Sequence, residues 1–211
     1  MSTPLLLVAA SGLAREVLSV CEALGRPVVG VLDDDPAKEG ALLGSSPVLG
    51  PLERVRHHPD AAVLLCAGKG AVRRDLAARL AALGVRDDRY ATLIDPSVRV
   101  PGSCSVGAGS ILLGGVVLTA DVLLGRHVVC MPHVTLTHDD VLSDYVTLTS
   151  GVSLGGGVRV GEAAYLGMNA SVREGRVVGA GCVLGMGAAL VTDQPPGTVY
   201  AGVPARPIGK E

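Results

Sequence analysis

The stretch Leu136–Asp140, LTHDD, is the densest group of ionisable side chains within a long run of small aliphatic residues. Its His138-Asp139 pair has the residue types of a general base and its supporting acid. Histidine has the intrinsic pKa for proton transfer near neutral pH, and a neighbouring carboxylate fixes its tautomer and stabilises the imidazolium. We therefore expect His138 to accept a proton in a reaction, against the alternative of a solvated histidine on a turn.

An unbroken period of six surrounds this pair. Every sixth residue from Ile94 to Leu190 is Leu, Ile or Val, except Cys130. The residue two places before each is small or β-branched, except at Asp140 and Arg176. Such hexads are typical of a parallel β-helix, in which three hexads close a triangular coil and residues eighteen apart stack. The lack of Phe and Trp fits an interior too narrow for large rings.

The stacking rule predicts the surroundings of the His-Asp pair. Gly156 should lie beside His138, and Gly157 beside Asp139. We expect the bare backbone of Gly155–Gly157 to form a slot for a thin acyl arm.

Asp140 falls at an inward position, between Val122 and Val158 in the stack. A bare carboxylate there is costly. Either the strand bulges locally, or the carboxylate bonds to backbone amides or to the neighbourhood of His138.

Residues 1–92 have a different pattern, in which strands and helices alternate. The predicted elements are a strand at 5–10, a helix at 14–24, strands at 27–35 and 60–68, and a helix at 71–83. This order indicates a parallel sheet of the Rossmann type, with a glycine turn and acids placed as in a nucleotide site; a plain α/β cap is the alternative. We divide the chain into 1–92, a helix domain at 93–194, and a capping tail at 195–211.

Composition restricts the environment and partners. The net charge of −2 leaves no broad basic surface for nucleic acid. Five scattered cysteines without a CxxC pair suit a reducing cytoplasm. The apolar run Leu5–Ala10 is too short to span a bilayer, so we expect no membrane insertion.

Together, the front pattern, the hexads, the His-acid pair and the ending AGVPAR resemble the hexapeptide-repeat sugar O- and N-acetyltransferases. That group includes the sialic acid O-acetyltransferases and the bacterial UDP-amino-sugar (bacillosamine-type) N-acetyltransferases. The resemblance implies a left-handed β-helix, acetyl-CoA as donor, and a sugar or nucleotide sugar as acceptor. It also implies a homotrimer with the site between adjacent prisms, His138 as base and Asp139 as its acid.

The resemblance also assigns binding residues. Acetyl-CoA contacts are expected at Thr147, Gly156, Gly157, Met168, Met186, Pro204 and Arg206. Nucleotide-sugar contacts are expected at Gly12, Leu13, Ala14, Arg15, Asp34, Asp35 and Gly68. The family often has a histidine at each of the positions of Leu13 and Thr147, so one acceptor contact and one coenzyme contact depart from its pattern.

Two other functions remain open at this point. His133 and His138 are five residues apart, a spacing that also occurs in hexapeptide-helix carbonic anhydrases of the γ class, where histidines bind zinc between subunits. A zinc site of that kind needs three converging ligands, and the sequence offers no obvious third, so we predict no metal site. The second alternative is a non-catalytic scaffold or nucleotide sensor, which would not bind acetyl-CoA.

Overall fold

The computed structural model describes residues 3–210. The first part is an α/β unit that contains, in chain order, β1 (Leu5–Val8), α1 (Gly12–Ala23), β2 (Val28–Leu32), β3 (Leu42–Leu43), β4 (Ser46–Gly50), β5 (Ala62–Leu65) and α2 (Gly70–Ala82). Three short 3-10 helices lie at Pro36–Lys38, Leu52–His57 and Asp87–Arg89. α1 begins where the Ser11 side chain accepts a hydrogen bond from the amide of Ala14 at 3.2 Å, a normal N-cap.

The front strands form one sheet in the order β3-β4-β2-β1-β5. β1 pairs in parallel with both β2 and β5, so the carboxyl ends of these three strands lie at one edge, where ligands of such sheets bind. The Rossmann-like class predicted from the sequence is confirmed. The short strands β3 and β4, which are antiparallel to each other, are not predicted by the sequence pattern.

The second part is a left-handed parallel β-helix, as expected. Each hexad supplies a strand of two residues, and the second residue is the predicted aliphatic or Cys130. Of the predicted hexad positions, Val100 alone lies in no strand. The strands are β6 (Leu93–Ile94), β7 (Ser105–Val106), β8 (Ile111–Leu112), β9 (Val117–Leu118), β10 (Leu123–Leu124), β11 (Val129–Cys130), β12 (Thr135–Leu136), β13 (Val141–Leu142), β14 (Thr147–Leu148), β15 (Ser153–Leu154), β16 (Arg159–Val160), β17 (Tyr165–Leu166), β18 (Ser171–Val172), β19 (Val177–Val178), β20 (Val183–Leu184) and β21 (Ala189–Leu190).

Strands eighteen residues apart stack into three faces. Face I contains β9, β12, β15, β18 and β21; face II contains β7, β10, β13, β16 and β19; face III contains β6, β8, β11, β14, β17 and β20. The turns between the faces form three edges. Edge I/II includes residues 138 and 156, edge II/III includes 127, 145 and 163, and edge III/I includes 133, 168 and 186.

Each turn has one residue in the left-handed backbone region, at every sixth position from 109 to 187. Glycine fills half of these positions, and Asp139 fills one with φ of 64°. Asp, Asn and His tolerate this region better than most side chains, which is compatible with polar residues in the turns. The hydrophobic cluster buried inside the prism consists, over the described residues, of aliphatic, alanine and cysteine side chains.

The front unit docks on face III and on edge II/III. Outward residues of face III, Ile111 and Val129, share a buried core with α1 and the front sheet. The first residue of α2, Gly70, is so close to the prism that a Cβ atom there would lie 2.0 Å from the carbonyl oxygen of Tyr145. Only glycine therefore fits at this contact.

Arg73 fastens the same contact from α2. Its guanidinium is fully buried and donates hydrogen bonds on both sides of the junction. Its acceptors are the carbonyl oxygens of Ala67, Gly68, His127, Tyr145 and Val146 and the hydroxyl of Thr147. Separating the front unit from the prism would leave this buried cation with unsatisfied donors, which is costly, so the network holds the two parts of the chain in one orientation.

The tail extends face III by two strands. β22 (Thr198–Ala201) pairs in parallel with β20, and β23 (Arg206–Lys210) pairs antiparallel with β22. Between them, Ala205 is fully buried. Within residues 3–210 the structure has no helix with the length and apolar character that crossing a membrane requires.

Candidate active site

His138 and Asp139 lie at edge I/II, in the turn between β12 and β13. Nδ1 of His138 is 2.8 Å from Oδ2 of Asp139, and the two side chains are 68% and 65% exposed. The hydrogen bond to Asp139, together with the charges of Asp139 and Asp140, raises the pKa of His138 above its ordinary value. With Nδ1–H donating to the carboxylate, Nε2 keeps a lone pair that can accept a proton.

The imidazole itself fills the centre of the predicted glycine slot. A Cβ atom on Gly156 would lie 2.4 Å from Cε1 and 2.5 Å from Nε2 of His138. The expectation that Gly156 leaves room for an acyl arm is therefore corrected: the glycine makes room for the histidine ring. Gly157 does remain open, since no described atom lies within 4 Å of where its Cβ would be.

Asp140 points into the prism, as its place in the period predicts, and it is fully buried. Its Oδ2 accepts a hydrogen bond from the amide of Thr137 at 2.8 Å, and its Oδ1 accepts one from the amide of Val158 at 2.9 Å. Of the two explanations that the sequence left open, the bond to backbone amides is the observed one. Burial raises the pKa of the Asp140 carboxyl to about 6, although both amide bonds act in the opposite direction.

The residues expected to contact the coenzyme are spread over several parts of the prism. Met168 and Met186 lie at edge III/I and are 48% and 71% exposed, and Pro204 and Arg206 are exposed in the tail. Thr147 is different. It is fully buried, and its hydroxyl is held within the front-unit junction, so the expected coenzyme contact at Thr147 is corrected.

The residues expected to contact the acceptor mostly meet at the carboxyl edge of the front sheet. Gly12 and Arg15 are exposed at the start of α1, whereas Leu13 and Ala14 pack in the core. The side chains of Leu13 and Ala14 are thus excluded from a ligand site, which corrects their assignment except through their backbone. Gly68 follows β5 at the same edge, where its carbonyl oxygen accepts from Arg73 and Thr147.

Three acids follow β2, and the structure gives each a different role. Asp33 accepts hydrogen bonds from a backbone amide of the β1 loop at 2.7 Å and from Lys38 at 2.9 Å. Asp34 pairs with Arg79 of α2 at 2.7 Å, and this bond lowers the pKa of Asp34. Asp35 caps the following 3-10 helix. Sequence reasoning missed Asp33 and Arg79, because their partners lie on other elements.

Of the cavities beside α2, two bear on the candidate site. One, of about 230 Å³, is at the carboxyl edge of the sheet, with apolar walls that include Val72 and with Asp34 and Arg79 at its rim. The other, of about 620 Å³, lies at edge II/III between the start of α2 and face III, next to Arg74 and Glu162. Neither cavity includes His138, which lies on a different edge of the same prism.

The two histidines of the zinc alternative, His133 and His138, lie on different edges of the prism, and His127 lies on the remaining one. His138 is on edge I/II, His127 on edge II/III and His133 on edge III/I, so one chain does not bring them together. His127 is also fully buried and packed between Tyr90 and Tyr145. No group of three His, Cys, Asp or Glu residues within the described part of the chain could hold a metal ion.

A scan against protein-family models and a search of curated protein sequences gave no match. Solved structures, in contrast, are similar to nearly the whole chain. PerB from Caulobacter crescentus, solved with CoA and GDP-perosamine, is 30% identical with a TM-score of 0.89, covering 98% of this chain and 97% of that one.

Two further structures agree. The acetyltransferase domain of PglB from Neisseria gonorrhoeae, solved with acetyl coenzyme A, is 29% identical with a TM-score of 0.89, covering 99% of this chain and 100% of that one. A histidine mutant of perosamine N-acetyltransferase from Caulobacter crescentus, solved with CoA and GDP-perosamine, is 28% identical with a TM-score of 0.90, covering 98% and 97%.

These similarities extend over both the front unit and the β-helix, so they concern the combination of parts and not the repeat alone. They overturn the scaffold alternative, because the similar structures are acetyltransferases. The chain belongs to the hexapeptide-repeat sugar acetyltransferases, acyltransferases that take the acetyl group from acetyl-CoA.

Proposed function

We propose that the protein acetylates the amino group of a nucleotide-linked sugar, with His138 as the general base, at a site shared by two chains of a homotrimer. The observation that carries the proposal is the exposed His138-Asp139 pair, in which Asp139 occupies Nδ1 and leaves Nε2 free. Similar proteins were solved in complex with CoA and GDP-perosamine, which supports an amine as the acceptor.

The reaction is a direct transfer. The amine nitrogen attacks the thioester carbonyl, the new N–C bond forms, and the C–S bond breaks to release the CoA thiolate. Nε2 of His138 takes the proton that the nitrogen loses, and Asp139 stabilises the imidazolium. An acyl-enzyme is not required: Cys130 is fully buried in the prism, and burial raises the pKa of its thiol to about 12, which leaves it unreactive.

The front unit supplies the acceptor site. The cavity of about 230 Å³ lies outside the carboxyl ends of parallel strands, the usual ligand position in such sheets. Its apolar walls suit a planar base, and Asp34 with Arg79 offers both an acceptor and donors to the edge of that base. Gly12, Arg15, Asp35 and Gly68 lie along the same edge and are proposed to contact the rest of the nucleotide sugar.

The positions of these parts on the prism support a shared site. Each front unit docks on face III and edge II/III of its own prism through Gly70 and Arg73. The His138 of that chain lies on edge I/II, so face II separates it from the acceptor site. A neighbouring prism in a trimer can bring its own His138 to the acceptor bound by the first chain.

The donor contacts lead to the same arrangement. Gly157 is next to the His-Asp pair on edge I/II, whereas Met168 and Met186 are on edge III/I. One coenzyme that meets both sets requires two prisms side by side. We propose that acetyl-CoA lies in this cleft and extends toward Pro204 and Arg206, which are exposed in the tail. The five cysteines, all free thiols, support a cytoplasmic location.

Mixed trimers test the shared site. His138→Ala removes the base, and Val72→Arg fills the acceptor cavity from an exposed helix position. Each variant alone should be inactive. If base and acceptor site come from different chains, an equal mixture of co-expressed variants should regain about one quarter of wild-type activity, because one junction in four pairs an intact base with an intact acceptor site.

The proposal has two separable failures. A mixture that stays inactive, while native mass spectrometry shows mixed trimers, would mean that one chain supplies both parts. A His138→Ala protein that keeps full activity would remove the base assignment itself. Acetyl-CoA consumption across UDP-, GDP- and TDP-amino sugars and free sialic acid identifies the acceptor; activity with the free hydroxylic sugar alone would contradict an amine acceptor.

A further inference from the structure

The carboxylate of Asp140 lies inside an otherwise apolar prism, directly behind the catalytic turn. Its neighbours in the stack, Val122 and Val158, are fully buried, as is Asp140 itself. Both of its oxygens are used. Oδ1 accepts from the amide of Val158, in the next coil, and Oδ2 accepts from the amide of Thr137, within the turn that contains His138.

Two smaller residues at equivalent inward positions of the prism also make the first of these bonds. The hydroxyl of Ser110 accepts from the amide of Val128 at 3.0 Å and donates to the carbonyl of Gly125 at 3.1 Å, and the thiol of Cys104 accepts from the amide of Val122 at 3.4 Å. In each case the donor is eighteen residues further along, as Val158 is from Asp140. Accepting a hydrogen bond from the amide of the next coil is therefore a structural role that such inward positions share, and it does not explain the second oxygen of Asp140.

The second bond closes the turn from Thr137 to Asp140. Two further hydrogen bonds join this turn to the next coil. The Thr137 hydroxyl donates to the carbonyl of Leu154 at 3.0 Å, and the carbonyl of His138 accepts from the amide of Gly157 at 2.8 Å. The turn is thus attached to the same coil that contains Gly156, over which the imidazole lies.

We propose that Asp140 is a positioning residue of the acetyl-transfer site, whose two carboxylate oxygens hold the His138 turn against the coil of Gly156. This inference rests on the proposed role of His138 as base. Asp140 does not touch the reacting atoms, since it faces the prism interior and His138 faces outward. It acts by fixing the place of the imidazole, and a displacement of a catalytic group by about 1 Å can reduce the rate by about 100-fold.

Asp140 also adds a negative charge behind the imidazole, which contributes to the raised pKa of His138. The other charged groups around this turn are Asp139 within it, Asp121 in the preceding coil, and Glu174 two coils further on. Glu174 is paired with its neighbour Arg173 at 3.0 Å. Removing Asp140 alone leaves these groups in place, so its own effect can be measured.

Asp140→Ser is the sharpest test, because Ser110 shows how serine bonds to the next coil at an equivalent inward position. The variant can keep the bond to Val158, but it loses the second oxygen and the charge. We expect kcat to fall by about 10- to 100-fold with an unchanged dissociation constant for acetyl-CoA. We also expect the rising limb of the pH–rate profile to move to lower pH. Ser110→Ala is the matched control, which should lower the melting temperature and leave kcat and the profile unchanged.

Asp140→Asn provides a second variant of the same size, in which the amide group can accept through only one atom. If either folded variant keeps wild-type kcat and an unshifted pH profile, Asp140 only fills the column, and the inference is overturned. A rise in KM at constant kcat would overturn it equally. Full activity of His138→Ala would instead remove the proposed function, so the two failures are distinguishable.

Discussion

His127 and His138 lie in turns of the same β-helix, and the protein uses them in opposite ways. His138 is exposed and bonded to a carboxylate, and its pKa is raised. His127 is fully buried, and burial, reinforced by the charges of Arg126 and Arg73, lowers its pKa to about 4. The same side chain is a candidate base on one edge and a neutral packing element on another, because solvent and neighbouring charges differ.

Both histidines depend on glycine in an adjacent coil. A Cβ atom on Gly109 would lie 2.2 Å from Nδ1 of His127, just as one on Gly156 would meet the ring of His138. The difference comes from what covers each edge. Tyr145 stacks on His127 with ring centroids 5.1 Å apart, and Tyr90 from the front unit packs edge-on at 4.6 Å. Tyr90 of the front unit thus helps to cover His127, whereas His138 is 68% exposed.

The largest expected effect separates the two histidines. His138→Ala removes the base, so kcat should fall by about 10²- to 10⁴-fold, the usual contribution of a positioned general base. Binding of acetyl-CoA, measured by calorimetry, should stay close to wild type. His127→Ala should instead lower the melting temperature and leave the kcat of the folded fraction unchanged. Equal loss of kcat in both variants would contradict the division of roles.

The two glycines beside the His-Asp pair sharpen the comparison. Gly156→Ala places a methyl group where the imidazole of His138 lies, so kcat should fall by about 10- to 100-fold. The stability of the protein should change little, because φ of Gly156 is not in the left-handed region. Gly157→Ala has open space but a φ of +71°, so stability should fall by about 1–2 kcal/mol.

Thermal unfolding and kcat, measured on both alanine variants, provide the check. The idea that Gly156 exists to seat His138 fails if Gly156→Ala keeps full kcat, or if Gly157→Ala shows the larger loss of kcat.

The period of six predicts the β-helix because every hexad contains the same local information: an inward aliphatic, a small neighbour and a turn. It also predicts which residues stack, including His138 on Gly156. It does not predict where the imidazole of His138 points. In the structure the ring lies over Gly156 and fills the slot that the sequence analysis assigned to the acyl arm. A sequence period gives the position of a residue along an edge, and the rotamer of a long side chain remains free.

Contacts between the front unit and the prism are the main part that the sequence does not predict. Thr147 fits an outward strand position, yet its hydroxyl accepts a hydrogen bond from Arg73, which lies 74 residues earlier in the chain. Among the three acids after β2, only the structure shows that Asp33 holds the β1 loop through Lys38 and a backbone amide. Such pairings join elements far apart in sequence, and neither composition nor spacing specifies them.

Asp139→Asn should have a smaller effect than loss of the base. The carboxylate orients the imidazole and stabilises its charged form, so kcat should fall less than in His138→Ala. Because Asp139 raises the pKa of His138, and the base acts when deprotonated, activity rises with pH through that pKa. Removing the charge should shift this limb of the pH–rate profile to lower pH.

A hydroxylic acceptor analogue, where the enzyme accepts one, is the cleaner substrate for this profile, because an amine acceptor titrates as well. A limb that stays in place in Asp139→Asn would mean that the carboxylate does not control the proton affinity of His138.

The smallest expected effect is the contribution of His127 to the pH dependence of the free energy of unfolding. Its folded pKa of about 4 is below the ordinary value of 6.5, so between these limits the unfolded chain binds a proton that the folded chain does not. Stability should therefore fall as the pH falls from about 7 to 4, by at most about 1.4 kcal/mol per pH unit from this group.

His127→Phe keeps a ring in the stack with Tyr145 and removes this proton linkage, together with two ring nitrogens that have no hydrogen-bond partner among the described residues. Urea unfolding of both proteins at several pH values should give free energies that diverge toward acid, with the variant losing less, because the other titrating groups are common to both. Phe at a φ of 54° lowers the free energy of unfolding at every pH. The test therefore compares how steeply this free energy changes with pH in the two proteins, and not its absolute value. Parallel curves would mean that His127 is accessible to protons in the folded state, and that burial does not distinguish it from His138.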